Sequence, residues 1–143
     1  MTKYLLEANV VLALLQSGHV HSVAAGDWLG TVSAPECLGI CRVVEMATLR
    51  LLTRRAVMGD ALLSASEAWT TLDTLLMDDR FELAAETANL RETWESVCDS
   101  IPKGACAETD SYLAAFAIAS RRTFVTFDKG KSRFSGLQVQ ELS

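Results

Sequence analysis

Four acidic side chains stand where folding alone rarely places charge. They are Glu7 after the apolar run Tyr4-Leu5-Leu6, Glu45 within the hydrophobic stretch Ile40–Leu52, Asp110 at the start of an alanine-rich segment, and Asp128 after the strand-like run Thr123–Phe127. A carboxylate beside an apolar core is costly unless a partner compensates its charge. A hard divalent cation can neutralise several carboxylates at once and activate water for attack on a phosphodiester. The four acids therefore predict a metal-dependent nuclease.

Each acid taken singly also has an ordinary structural explanation. Asp110 lies near a predicted helix N-terminus, where the helix dipole favours an anion. Asp128 precedes Lys129-Gly130 and suits a turn, and Glu7 suits the exposed end of a strand. Glu45 is harder to explain in this way, because an acid on a partly apolar helical face normally needs a partner. Together, the four positions favour a shared site.

Length and composition predict one globular domain over residues 1–143, since half of the residues are hydrophobic. The net charge of −5 disfavours a simple nucleic-acid binder, but it disfavours a nuclease less, because the acidic site itself supplies negative charge. Glu7 interrupts the apolar N-terminal run, and no apolar stretch reaches the length of a membrane span. We therefore expect a soluble, cytoplasmic protein without a membrane segment.

The cysteines point to no metal site of a familiar type. They are Cys37, Cys41, Cys98 and Cys106, and no two of them form a CxxC pair. In the predicted helix, Cys37 and Cys41 would share a face and could hold zinc together with His19 or His21. Reduced thiols that pack as small hydrophobic groups are the preferred interpretation.

Strand-like and helix-like segments alternate along the chain. The predicted strands are Lys3–Leu6, Thr31–Ala34, Phe81–Leu83, Thr123–Phe127 and a possible edge strand within Leu137–Leu142. Three helices are predicted in the first half of the chain: Val10–Leu15, His19–Leu29 and a long helix from Pro35 to about Arg54. Three more follow: one that begins at a Ser64–Glu67 capping box, one that carries Leu90, Trp94 and Val97, and Asp110–Ser120. This alternation predicts an α/β fold whose parallel sheet is covered on both faces.

The carboxyl ends of the strands are the expected location of the site. Ligands of open parallel sheets bind beyond those ends, so Glu7 and Asp128 should share one crevice. Thr126 lies two residues before Asp128 and projects to the same side, where its hydroxyl could orient a carboxylate or the substrate. Asn9 is placed to do the same for Glu7. The alternative for both is hydrogen bonding to nearby backbone.

Four segments together resemble the PIN-domain ribonucleases of the VapC toxin type, which belong to type II toxin–antitoxin systems. The segments are YLLEANV at 4–10, CRVVE at 41–45, TDSYLAA at 109–115 and TFVTFD at 123–128, and their order fits the family over essentially the whole chain. The resemblance implies a PIN-like three-layer α/β/α fold with a central, mostly parallel sheet. It also implies an Mg²⁺- or Mn²⁺-dependent endoribonuclease that is restrained by a cognate antitoxin and forms a homodimer.

The resemblance also suggests a role for each site residue. Glu7, Asp110 and Asp128 would hold the metal, directly or through water, and Glu45 would bind the metal's water shell or help to deprotonate the attacking water. The family ordinarily has aspartate at the position of Glu7. Because catalytic geometry tolerates displacements of only about 0.5 Å, the longer side chain leaves an alternative open. That alternative is an attenuated PIN module that mainly binds RNA or an antitoxin.

Three basic residues follow the last acid of the site. Lys129, Lys131 and Arg133 are predicted to bind RNA phosphates beside the metal, and salt-sensitive binding is the expected signature. The alternative is an ordinary solvated loop, since lysine-rich loops are common.

Overall fold

The computed structural model describes residues 1–105 and 107–143, and within them the chain forms five strands and seven helices. The strands are β1 (Tyr4–Leu6), β2 (Leu38–Ile40), β3 (Phe81–Leu83), β4 (Thr123–Thr126) and β5 (Val139–Glu141). The helices are α1 (Ala8–Leu15), α2 (Ser22–Leu29), α3 (Arg42–Leu52), α4 (Arg55–Met58), α5 (Ala65–Leu76), α6 (Leu90–Cys98) and α7 (Glu108–Ala119). Cys106, one of the four cysteines considered above, lies outside the described residues.

The strands form one sheet in the order β3-β2-β1-β4-β5, and every neighbouring pair is parallel. Crossovers between parallel strands are right-handed, so the steps from β1 to β2 and β3 place α1–α5 on one face. The return step from β3 past β1 to β4 places α6 and α7 on the other face. The helix contacts agree, because α1 meets α2, α3 and α5, while α6 packs against α7. The predicted three-layer α/β/α fold is confirmed, with a sheet that is entirely parallel.

Burial on both faces explains why the strands are short apolar runs. Leu5, Leu38, Ile40 and Val125 are each fully buried in the sheet. Helix α7 is buried from residue 111 to residue 117, and small alanines allow it to approach the sheet closely. No helix among the described residues is both long and apolar enough to cross a membrane.

The long helix predicted from Pro35 to about Arg54 is wrong, because it contains a strand. β2 occupies residues 38–40, and α3 begins only at Arg42. Periodicity alone does not distinguish a short buried strand from part of a buried helix, and Gly39 is a poor helix former. Cys37 and Cys41 therefore flank β2 instead of sharing a helical face, which removes the basis of the zinc alternative.

The strand predicted at Thr31–Ala34 is also absent. These residues form a connection, and the Arg80 guanidinium holds it by donating 2.9 Å hydrogen bonds to the carbonyls of Leu29 and Val32. The same guanidinium pairs with Asp78, 2.6 Å away at its closest atoms. The other predicted strands form with small shifts of their ends, and β5 is the edge strand expected there.

A largely buried arginine connects the two halves of the sheet. Arg122, just before β4, reaches across β1 and β2 to Glu82 on β3, with 2.5 Å between Nη2 and Oε1. It also donates a 3.2 Å hydrogen bond to the carbonyl oxygen of Tyr4. The guanidinium passes over Gly39, where an added Cβ would lie 2.5 Å from Nη1 of Arg122 and 2.9 Å from the Tyr4 carbonyl oxygen. Glycine at position 39 therefore makes this crossing possible.

Candidate active site

The site lies where the order of the strands reverses, between β1 and β4. Glu7 directly follows β1, and Asp128 stands two residues after β4. Asp110 is the third residue of α7, so it enters from the face that α6 and α7 cover. The reversal of strand order opens a crevice at these carboxyl ends, and three of the four predicted acids converge there.

Two polar side chains hold the Glu7 carboxylate from one side. Oε1 of Glu7 accepts a short hydrogen bond from the Thr126 hydroxyl and a 3.3 Å hydrogen bond from the Asn9 amide. Oγ1 of Thr126 in turn accepts a 2.9 Å hydrogen bond from the backbone N–H of Asp128. Thr126 thus links the two carboxylates that follow β1 and β4. Both residues that sequence reasoning named as supporting the acids contact Glu7.

Lys131 approaches the three carboxylates from the other side. Its ammonium nitrogen lies 2.7 Å from Oδ1 of Asp110, 3.6 Å from Oε2 of Glu7 and 3.8 Å from Oδ2 of Asp128. Lys131 is only 6% exposed, although the sequence predicted it on a phosphate-binding loop. A positive φ of 93° at Gly130 turns the chain just before Lys131. In this conformation the ammonium is engaged by carboxylates, so it is not available to an RNA phosphate.

Burial dominates the ionisation of Glu7. Desolvation raises the pKa of this carboxyl above its ordinary value of 4.5. The Thr126 hydrogen bond and the Lys131 charge lower the pKa, and the neighbouring carboxylates of Asp128 and Asp110 raise it again. In sum the pKa of Glu7 stays raised, so its anion is less favourable in this crevice than that of a solvent-exposed glutamate. Additional positive charge in the crevice would lower the pKa of Glu7 and favour its carboxylate form.

Glu45, the fourth predicted acid, has a partner of its own. It is buried near the start of α3, after β2, and accepts a 2.8 Å hydrogen bond from Nη1 of Arg42. The two side chains line a depression of about 270 Å³ at the carboxyl end of β2 and β3. The structure therefore brings Glu45 to the same edge of the sheet, but pairs it with Arg42.

Sequence reasoning missed two further polar residues of this depression. The Tyr112 hydroxyl donates a 2.6 Å hydrogen bond to Oε2 of Glu86, and burial followed by this bond raises the pKa of Tyr112. Glu86 stands three residues after β3, so the rule that ligands bind at the carboxyl ends of strands could have identified it. Tyr112 lies within the buried run 111–117 of α7, so the sequence pattern assigns it to the core.

The remaining basic residues lie at the rim of the crevice. Arg133 is half-exposed, with Nη2 3.5 Å from Oδ2 of Asp110 and its guanidinium over the ring of Phe134. Lys129 is exposed. Both are accessible to a phosphate in this conformation.

The donor chemistry of the crevice fits a hard cation. Glu7, Asp110 and Asp128 offer only carboxylate oxygens, the ligands that Mg²⁺ and Mn²⁺ prefer. Within the part of the chain that the structure describes, however, no group of three or more histidine, cysteine or acidic side chains is arranged to hold a metal ion directly. The position of Lys131 is consistent with this, because its ammonium lies among the three carboxylates.

Comparisons with known proteins agree with the fold and with the sequence motifs. The family model of the PIN domain matches residues 4–137. Ribonuclease VapC41 of Mycobacterium tuberculosis is 36% identical over 143 residues, covering 97% of this chain and 98% of that protein. The resemblance found in the four sequence segments is thereby confirmed.

Two solved structures share the fold at low sequence identity. VapBC2 from Rickettsia felis, bound to a promoter DNA fragment, aligns with a TM-score of 0.77 and 16% identity over 99% of this chain and 100% of that chain. A toxin–antitoxin complex from Klebsiella pneumoniae aligns with a TM-score of 0.61 and 16% identity over 94% and 95% of the two chains. At this level of identity, the two likenesses establish the fold alone.

Proposed function

The chain belongs to the PIN-domain family, and from this we propose that it is a metal-dependent endoribonuclease toxin of the VapC type, restrained by a cognate antitoxin. The observation that carries the proposal is the convergence of Glu7, Asp110 and Asp128 where the strand order reverses. The 36% identity to Ribonuclease VapC41 supports RNA as the substrate.

The three converging carboxylates would hold Mg²⁺ or Mn²⁺, directly or through water. When bound, such a cation lowers the pKa of a coordinated water and stabilises charge that develops on the phosphodiester. Thr126 and Asn9 fix the orientation of the Glu7 carboxylate through the hydrogen bonds to Oε1. Thr126 also fixes the backbone of Asp128.

Glu45 would act on water at the edge of the site. Its burial and its ion pair with Arg42 hold a carboxylate at the same edge of the sheet as the crevice, from which it would bind the metal's water shell or help to deprotonate the attacking water. Arg42 is mostly exposed, so a water can replace its guanidinium against Glu45. That exchange would free the Glu45 carboxylate.

RNA would approach from the side of Lys129 and Arg133. Both side chains are accessible at the rim, and Arg133 already lies against Asp110. Positive charge in this place offsets the repulsion between RNA and a protein with a net charge of −5. Binding should weaken steeply as the salt concentration rises.

The antitoxin would block the same crevice. An arginine from the partner can bridge carboxylates bidentately, and the depression lined by Arg42 and Glu86 offers a surface for the partner's chain. The likeness to a solved toxin–antitoxin complex supports such a partner. We further propose a cytoplasmic location and, as the family resemblance implies, a homodimer.

Cleavage of total RNA tests the enzymatic proposal. The protein should cut RNA in Mn²⁺ at sites that mapping of the new ends identifies, and excess chelator should stop cleavage. Asp110→Asn should abolish cleavage while leaving the fold intact, whereas the matched variant Asp73→Asn, at an exposed position of α5, should cleave normally. Undiminished cleavage by Asp110→Asn, or by the unmutated protein in chelator, would contradict the assignment.

A second candidate is the attenuated PIN module, which mainly binds RNA or antitoxin. The observations in its favour are glutamate at position 7 and the Lys131 ammonium among the acids. Single-turnover cleavage distinguishes the two functions. If attenuation is real, Glu7→Asp should cleave about 10- to 100-fold faster than the unmutated protein, since small misplacements of catalytic groups cost that much. Equal and efficient cleavage by both proteins would exclude attenuation.

A further inference from the structure

Lys131 places a positive charge at the point where the proposed function requires a metal ion. We propose that Lys131 is a positioning residue that holds the three carboxylates together in the metal-free protein and leaves its place when the metal binds. The inference rests on the proposed function, because it concerns the same site. It adds a competition between a side chain of the protein and the metal for the same carboxylates.

The buried Lys131 ammonium is paired with the carboxylates of the site. Lysine is seldom buried unless its charge is paired, and this side chain is 7% exposed with three carboxylate groups within 4 Å. The shortest of these contacts, to Asp110, is a charge-assisted hydrogen bond of 2.7 Å. In the metal-free protein, Lys131 thus offsets repulsion among acids that would otherwise move apart.

The same contacts make the ammonium and a metal ion mutually exclusive. Mg²⁺ bonds to oxygen at about 2.1 Å, closer than any of the Lys131 contacts, and it would approach the same carboxylate oxygens. A dication and an ammonium in one small space repel each other. The ammonium must therefore leave before the carboxylates can close around the metal.

The local chain permits this movement. Lys131 begins a short helical turn, Lys131–Arg133, which follows the exposed residues Lys129 and Gly130. The flexible four-carbon stem of lysine can carry the ammonium outwards to the rim without a change of fold. Displacement then brings a positive charge to the side from which RNA would arrive.

Chemical labelling of the unmutated protein tests the displacement directly. An amine-acetylating reagent should modify Lys131 slowly in chelator and faster when Mg²⁺ is added, as measured by mass spectrometry of the peptides. Lys129, exposed two residues away, serves as the internal reference, and its rate of modification should not change. If Mg²⁺ leaves the modification rate of Lys131 unchanged, the exchange does not occur.

Metal affinity supplies a second measurement that does not depend on RNA cleavage. Calorimetric titration with Mn²⁺ should show binding to Lys131→Met about 10-fold tighter than to the unmutated protein, because the competing charge is gone. Lys103→Met, which removes the same charge from an exposed position outside the site, should bind Mn²⁺ nearly as the unmutated protein does. Equal affinities of Lys131→Met and the unmutated protein would overturn the competition while leaving the metal site in place. Failure of all three proteins to bind Mn²⁺ would overturn the proposed metal site itself, and the inference with it.

Discussion

Replacing Gly39 with alanine should destabilise the fold, because the added methyl group meets two parts of the structure that have little room to move. Its Cβ would lie 2.9 Å from the backbone carbonyl oxygen of Tyr4 on the neighbouring strand β1. It would also lie 2.5 Å from Nη1 of Arg122, whose side chain is 9% exposed and is bonded to Glu82. The backbone contact cannot be relieved by a rotamer change. Either β1 and β2 separate or Arg122 leaves its position.

The size of the effect follows from these two contacts. Overpacking at a well-packed site costs about 1–3 kcal/mol. Loss of a hydrogen bond to a charged group adds about 1.5–3 kcal/mol, moderated here because Lys3 remains 3.3 Å from Glu82. A total loss of roughly 2–5 kcal/mol is a large part of the 5–15 kcal/mol by which a domain of this size is usually stable. The melting temperature should fall by about 6–15 °C.

Urea unfolding followed by circular dichroism measures this loss. The Gly39→Ala midpoint should fall with little change in the slope of free energy against urea concentration, because the surface exposed on unfolding stays the same. Gly26→Ala is the matched control, since an added Cβ there meets nothing within 4 Å and the residue lies inside α2. That control should be slightly more stable than the unmutated protein. If Gly39→Ala is as stable as the Gly26→Ala control, the close approach of Arg122 to β2 is refuted.

Two further predictions concern ionisable groups whose pKa values the fold shifts. The folded state raises the pKa of Glu7 above 4.5, so the protonated form of Glu7 favours folding. This contribution to the free energy of unfolding is complete below pH 4.5 and is lost as the pH rises through the folded pKa. In chelator, Glu7→Gln should therefore have a higher urea midpoint than the unmutated protein at pH 8, and this advantage should disappear towards pH 4; a constant difference would contradict the raised pKa. Because Arg80 lowers the pKa of Asp78 below 3.8, that carboxylate stabilises the fold above this pH and ceases to do so as pH falls through the folded pKa. Asp78→Asn should lower stability by about 1–3 kcal/mol at pH 7 and by less at pH 2–3, and equal losses at both pH values in urea titrations would contradict the pairing.

The convergence of three acids could be predicted from the sequence, and the reason is topological. Glu7 and Asp128 follow apolar runs that read as parallel strands, and parallel strands end at one edge of a sheet. Their functional roles, and that of Asp110, remain predictions that rest on the family resemblance and on this proximity.

The contents of the crevice could not be predicted in the same way. The inward position of Lys131 depends on the turn at Gly130 and on carboxylates up to 124 residues away in the chain. From the sequence, a lysine that follows an acid in a polar loop is predicted to be solvent-exposed. The neighbouring residues do not indicate that its partners lie far away in the chain. Glu45 was identified as an acid that needs a partner, and that partner proved to be Arg42.

The missed strand β2 shows the limit of periodicity. Three residues, Leu38 to Ile40, are too few to reveal an alternation, and the apolar run continues into α3. What makes the segment a strand is the space between β1 and β3, which only the assembled sheet defines. The glycine at its centre was the one local sign, since glycine is unfavourable within a helix.

The order in which the chain leaves the ribosome has a consequence for when the protein can act. β4 lies in the interior of the sheet between β1 and β5, yet it comes from the last quarter of the chain. The same quarter contributes Asp110, Asp128 and Lys131, and it carries Arg122 to its place across β1 and β2. During synthesis, the first hundred residues can pair only β1, β2 and β3, with β1 left as an open edge and Glu7 without Thr126 and Lys131. The crevice therefore cannot assemble until residues 110–131 have left the ribosome, so a ribosome-bound chain that ends before them lacks the acidic cluster on which the proposed ribonuclease activity depends.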